Sequence, residues 1–292
     1  MSGLTRQWFS AVGALLCACG VGAETTVGDA SPYAYAANAG WINLRGDAAH
    51  GFAVGLSYCT GHLWSPALGW IGVGNGPTNG WSYTQLSAAD WGVNHDGLGA
   101  LSGYAYGANI GWVIFEQTYG KPRVDLLSGA VSGWAWSPNI GWIGFSNQFA
   151  QARMTSLSAG PDSDGDGIAD AWEYKRAGSL GVFKGNGADA DNDGASDLAE
   201  FGADTDPANA ASALAITAFE RSAASNRVEW TVQATRQYRL QRAAALGADT
   251  VWDDSGLGLM APGSSGRLSR QVPEAGVSSR FYRVKAVLPL SE

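Results

Sequence analysis

The segment Tyr33-Ala-Tyr-Ala-Ala-Asn-Ala-Gly-Trp41-Ile-Asn-Leu44 occurs four times, with substitutions, in a chain of 292 residues. Tyr104-Ala-Tyr-Gly-Ala-Asn-Ile-Gly-Trp112-Val-Ile-Phe115 and Trp134-Ala-Trp-Ser-Pro-Asn-Ile-Gly-Trp142-Ile-Gly-Phe145 are close copies. His62-Leu-Trp64-Ser-Pro-Ala-Leu-Gly-Trp70-Ile-Gly-Val73 is a looser one. The Gly-Trp pairs stand 29, 42 and 30 residues apart, and the longer interval holds an insertion around Gly76 to Asp90. A fixed unit repeated four times marks a modular β array.

Each copy states its own local structure. Aromatic-Ala-aromatic places two rings on one strand face and a small residue on the other, because side chains alternate with period two. Ser-Pro-Asn or Ala-Ala-Asn then supplies a turn, proline setting φ and asparagine tolerating left-handed geometry. Gly-Trp-Ile-x-Phe resumes as a second strand, with Ile and Phe facing one way and Trp the other. A lone hairpin is marginal in water, so the four are expected to pack on one another. The repeated tryptophans admit two roles, stacking platforms for sugar rings or internal core. Recurrence at one hairpin position favours packing, so Trp41, Trp70, Trp112 and Trp142 are expected inside. Trp81 and Trp91, in the insertion and outside the repeat, are the candidates for ligand contact.

The region from 24 to 152 is rich in glycine, poor in charge, and holds nine of the thirteen tryptophans. Between Asp162 and Asp206 the character changes: twelve acidic residues stand against Lys175, Arg176 and Lys184, a net of -9, while the rest of the chain carries +1. Nothing basic is clustered enough for nucleic acid. From about Ala213 onward, short alternating segments separated by Gly, Ser and Pro clusters predict six or seven strands of a small β-sandwich. The expected fold is therefore mainly β. A β-hairpin repeat domain (24–152) is followed by a linker and double-loop spacer with small helical turns (153–212) and a C-terminal β-sandwich (213–292).

The acidic stretch contains Asp162-Ser-Asp-Gly-Asp-Gly-Ile-Ala-Asp-Ala-Trp-Glu173 and Asp189-Ala-Asp-Asn-Asp-Gly-Ala-Ser-Asp-Leu-Ala-Glu200. Both fit the twelve-residue calcium loop in full. A calcium ion takes six to eight oxygens. The first loop offers Asp162, Asp164, Asp166, the carbonyl of Ile168, Asp170 and Glu173, with Gly167 at the sharp reversal. The second offers Asp189, Asp191, Asp193, the carbonyl of Ala195, Asp197 and Glu200, with Gly194 in the equivalent place. Five carboxylates in twelve residues repel one another without a cation. Gly-Pro and Gly-Asn-Gly precede the loops, so no incoming helix is expected, while an outgoing turn follows each, the second capped by Gly202. Without paired helices to open, a structural site filled at extracellular calcium, in the range of about 0.1 to 1 mM, is the expectation.

This repeated block, followed by Glu200-Phe201 and Thr205-Asp206-Pro207, resembles bacterial thrombospondin type 3 repeats over about 46 residues. The resemblance implies calcium held by an ordered, extended spacer between extracellular domains, here without the cysteines of the animal versions. Dockerins also use two such loops, and a dockerin-like partner module is an alternative, although dockerin loops usually end in Asp. Arg280-Phe-Tyr-Arg-Val resembles the closing strand of sandwich domains that follow such repeats in secreted bacterial proteins. The Gly-Trp-Ile-x-Phe hairpins also resemble a repeat of secreted bacterial proteins.

The N-terminus reads as a secretory signal peptide, residues 1–23, with Arg6, an apolar run from Trp8 to Ala18 and a small-x-small exit at Val21-Gly22-Ala23. Lipidation at Cys19 is the lesser alternative. No later apolar run is long enough for an integral membrane segment. Once the signal is removed only Cys59 remains, so no internal disulfide can form, and a small buried thiol is expected there. His50, His62 and His95 fall in no metal or nucleophile motif, and His95, in a turn, is expected at the surface. Asp47, Asp90, Asp96, Glu116 and Asp125 leave a two-carboxylate hydrolase as the only catalytic alternative. The expected function is a non-enzymatic, calcium-binding structural or adhesive protein, secreted or at the cell surface, with an extracellular protein or glycan as partner. The alternative is a lectin-like carbohydrate-binding protein acting through the Trp-rich repeats.

Overall fold

Each repeat folds as an antiparallel hairpin. The four pair Tyr33–Ala36 with Gly40–Asn43, His62–Ser65 with Gly69–Gly72, Leu101–Gly107 with Gly111–Phe115, and Trp134–Ser137 with Gly141–Gly144. They are called hairpins 1 to 4 below. The computed structural model of the chain describes residues 25–47, 49–222, 224–273 and 280–291; the expected signal peptide, with Cys17 and Cys19, lies outside the described residues. The described fold is mainly β, with two short helices.

The hairpins join in a ring. The second strand of hairpin 1 pairs with the first of hairpin 2 through Asn43 and Trp64, and hairpin 2 meets hairpin 3 through Gly72 and Tyr106. Hairpin 3 meets hairpin 4 through Ile114 and Trp136, and hairpin 4 returns to hairpin 1 through Gly144 and Tyr35. The result is an eight-stranded barrel in which no hairpin is terminal. Closure removes the unpaired edges that an open sheet of hairpins would expose. A ninth strand, Val93–His95, pairs alongside Leu101–Gly107.

Closure by strands this short requires a narrow interior, and the sequence supplies it. Ala34 and Ala36, Leu63 and Ser65, Ala105 and Gly107, and Ala135 and Ser137 point inward from the first strands. Larger Ile42, Ile71, Val113 and Ile143 point inward from the second strands and fill the space left by the small residues. Leu68, Ile110 and Ile140, the residues before the Gly-Trp pairs of hairpins 2 to 4, are buried at the turn end. The core continues into Phe52 and, from short pairings outside the barrel strands, into Val54, Cys59, Val124, Val131 and Met154. Cys59 is the buried thiol expected.

The tryptophans point the other way. Trp41, Trp70, Trp112 and Trp142 are 42%, 49%, 43% and 43% exposed, which overturns the expectation that they form the core. Alternation allows each strand only one inward face, and the barrel lumen accepts its small face. The rings are left on the outside.

The turns also differ from expectation. The left-handed residue is glycine, with φ of 78°, 78°, 69° and 78° at Gly40, Gly69, Gly111 and Gly141, and not asparagine. The asparagine reaches sideways to the next turn: Asn38 Nδ2 donates to the Ile140 carbonyl (3.2 Å), Asn139 to that of Ile110 (2.9 Å), and Asn109 to that of Leu68 (3.0 Å). Hairpin 2 has Ala67 in this place, so the ring of clasps has one gap.

By compactness the described chain divides into two units, one holding 25–165, 169–182 and 289–291, the other 166–168 and 183–288. In the second unit, Ile216–Arg221, Ser225–Val232 and Gly266–Pro273 form one three-stranded antiparallel sheet. Asp253–Met260, Gln237–Ala243 and Phe281–Val287 form another. Val228, Trp230, Val232 and Val272 of the first share one core with Tyr238, Leu240 and Met260 of the second. The strand Asp253–Met260 begins just after Val251-Trp252, and within it Gly256 and Gly258 take positive φ.

Candidate functional site

Both acidic loops close in the same way. Positions four and six of each take positive φ: Gly165 (74°) and Gly167 (93°) in the first, Asn192 (61°) and Gly194 (97°) in the second. This reversal gathers the first three carboxylates. Oxygens of Asp162, Asp164 and Asp166 lie within 4.8 Å of one another, and so do those of Asp189, Asp191 and Asp193.

A short helix leaves each loop at its ninth position, α1 over Asp170–Ala177 and α2 over Asp197–Ala203. Asp170 and Asp197 begin these helices, near the positive end of the dipole. Their carboxylates hold the loop together: Asp170 accepts from the Ser163 N–H (2.7 Å) and hydroxyl (2.5 Å), and Asp197 from the N–H groups of Ala190 and Lys184 (both 2.9 Å). Gly202 lies inside α2 and not at its end as expected; the left-handed cap is Asp204, at φ 57°. Gly178 caps α1.

The twelfth-position glutamates are buried, Glu173 fully and Glu200 at 1% exposure. Glu173 Oε1 accepts from the Gly181 N–H (3.0 Å), and Glu200 Oε1 from the Thr205 hydroxyl (3.0 Å). Glu200 Oε2, Asp191 Oδ2 and Asp193 Oδ2 are buried with no hydrogen-bond partner. Burial, reinforced by repulsion from Asp191, Asp193 and Asp197, pushes the Glu200 carboxyl up to about 8. Burial likewise raises that of Asp191, with Asp193 and Asp189 adding repulsion. Three orphaned carboxylate oxygens in one loop form a site whose energetics call for a cation.

Sequence reasoning missed the supports of the second loop. Thr205 holds Glu200, and the Thr235 hydroxyl bonds the Asp204 carboxylate. Arg236, 4% exposed, donates to the carbonyls of Gly202 (2.9 Å) and Phe201 (2.8 Å), satisfying the C-terminal end of α2. None of these residues belongs to a loop motif, so no spacing rule points to them.

The two ligand-contact candidates part company. Trp91 meets Trp112 (5.4 Å between centroids, 84°) and Tyr106 (6.1 Å), so it joins the outer face of hairpin 3. Trp81 has the Lys175 ammonium of α1 6.0 Å from its ring. The carboxylates weighed for hydrolysis each close their own turn. Asp90 accepts from Thr78 and Thr84, Asp96 from Leu98 and Ala100, Glu116 from Thr118, Tyr119 and Gly120, and Asp125 from Leu127 and Ser128. Asp47 does the same for Ala49 and pairs with His50. His95 is buried and not at the surface as expected: Nδ1 lies 2.7 Å from the Gly55 carbonyl, and Nε2 accepts from the Gly99 N–H. No helix among the described residues is long and apolar enough to cross a membrane. No family model matches the chain, and the searches of curated proteins and of solved structures return no match either.

Proposed function

We propose that this is a calcium-binding structural and adhesive protein, secreted or held at the cell surface. Calcium orders the double-loop stretch (153–212) that joins the hairpin-repeat barrel to a C-terminal β-sandwich. Asp162, Asp164, Asp166 and Glu173 are the carboxylates of one site; Asp189, Asp191, Asp193 and Glu200 are those of the other, with the Ile168 and Ala195 carbonyls completing each. Asp170 and Asp197 shape the loops. The observation that carries this reading is the orphaned set Glu200 Oε2, Asp191 Oδ2 and Asp193 Oδ2. Buried carboxylate oxygens without a partner are costly, and a hard divalent cation with oxygen preference removes that cost.

Limited proteolysis and small-angle scattering, each with calcium and with chelator, test the structural role. Calcium should protect the 153–212 stretch from cleavage and narrow the scattering profile toward one conformation. Identical cleavage and identical scattering in both conditions would refute it.

A further inference from the structure

The outer face of the barrel carries a second feature that calcium does not explain. Each hairpin sets its tryptophan against a ring directly across the strand pair: Trp41 faces Tyr35, Trp70 faces Trp64, Trp112 faces Tyr106 and Trp142 faces Trp136. Edge-to-face contacts orient the first three of these pairs, with centroids 5.0 Å apart for Trp41 and Tyr35, 6.3 Å for Trp70 and Trp64, and 5.0 Å for Trp112 and Tyr106. Rings held this way lose little further freedom on binding a ligand. The barrel is closed and its lumen filled without them, so the fold does not require aromatic residues at these outward positions. Exposed aromatic surface on this scale marks a place where something else sits.

The chemistry of the face selects the occupant. None of the eight barrel strands contains a charged residue, so the face complements a neutral ligand and offers nothing to phosphate or to an acidic polymer. The only aliphatic side chain turned outward on these strands is Ile114; the rest of the outward apolar surface is rings. A lipid-facing barrel carries an aliphatic band between its aromatic girdles, and strands of about 9 to 11 residues. These strands have four to seven. Flat rings beside tyrosine hydroxyls, Asn43 and Ser102 fit neutral sugars instead, whose C–H faces stack on aromatic rings while their hydroxyls find polar neighbours.

The ring order adds valency. Hairpins that follow one another around a closed barrel face outward in different directions, so no single rigid ligand lies across all four. We propose that the barrel is a tetravalent binding module for neutral glycans, one subsite per hairpin, centred on Trp41, Trp70, Trp112 and Trp142, with Trp91 enlarging the third. Weak single contacts then combine into avidity on a glycan-coated surface.

The test titrates the full chain with cellohexaose and with chitohexaose by calorimetry, alongside binding to neutral phosphatidylcholine vesicles and sedimentation equilibrium. One or both sugars should bind with a stoichiometry of about four, at an affinity in the micromolar to millimolar range. Trp41→Ala, Trp70→Ala, Trp112→Ala and Trp142→Ala should each remove one site and lower the melting temperature by only a few degrees, because each ring is about half exposed. Trp→Phe at the same positions should keep the stoichiometry and weaken each site several-fold. Silence with both sugars would overturn the proposal, as would stoichiometry that the variants do not change. Uptake by vesicles, or a dimer that the variants dissolve, would assign the face to lipid or to a second copy. Sugar binding should persist in chelator, so failure of the calcium reading leaves this result standing on its own.

Discussion

Glu200→Gln should stabilise the protein without calcium and remove the second loop's response to calcium. In the metal-free chain the Glu200 carboxyl is 1% exposed and its pKa stands at about 8, raised first by burial and then by its acidic neighbours. In the unfolded chain it titrates near its ordinary value of 4.5. At pH 7 folding must therefore hold a proton across a gap of about 2.5 pH units, which costs up to about 3 kcal/mol. A carboxyl with a raised folded pKa contributes stability that is fully present below 4.5 and is lost as pH rises through 8. Glutamine is neutral throughout, so the metal-free variant should exceed the metal-free wild type by about 2 to 3 kcal/mol at pH 7, and the difference should close towards pH 4.5. Calcium closes the gap. At about 100 times its dissociation constant it adds about 2.7 kcal/mol to the wild type through this loop and little to the variant. Urea titrations in chelator and in calcium, at pH 5 and pH 7, read both effects. A variant no more stable than wild type in chelator at pH 7 would refute the reasoning, and so would a difference between them that ignores pH.

Three further outcomes follow from named contacts. Asn139→Ala should cost about 1 kcal/mol in thermal melts by leaving the Ile110 carbonyl without its clasp, whereas Ala67→Asn should complete the ring of turns and add about 0.5 to 1 kcal/mol. Arg236→Ala should cost about 2 to 3 kcal/mol of unfolding free energy in urea titrations, because two carbonyls at the end of α2 lose a buried charged donor. Burial pushes the Tyr238 phenol up to about 12 from 10, so the stability it contributes is complete below pH 10 and lost as pH rises towards 12. Tyr238→Phe should flatten the loss of stability over that window, as followed by circular dichroism.

The hairpins were legible because period-two alternation and the Gly-Trp turns are local signals. Which face would be inside was not. Large rings usually pack inward, yet here Ala34, Ala36, Ala105 and Ala135 occupy the lumen, since eight short strands close only around small side chains. Nothing in one repeat encodes the pairing of Gly144 with Tyr35 that closes the barrel; that contact joins residues more than a hundred positions apart. The asparagine in three of the turns shows in sequence only its own backbone preference, and its reach to a neighbouring hairpin depends on the same closure. In the acidic stretch the loops themselves were legible, because all their carboxylates and both reversals lie within twelve residues. The supports were not, because Arg236 and Thr235 come from a distant strand connection and meet α2 only after folding. The strand at Asp253–Met260 was hidden by its glycines, which read as a turn when taken alone.

Calcium titration of metal-stripped protein by calorimetry tests the central claim most directly. Two ions should bind, one lost in Glu173→Gln and the other in Glu200→Gln, with none bound by the double variant. No saturable heat, or two ions retained in both single variants, would contradict it.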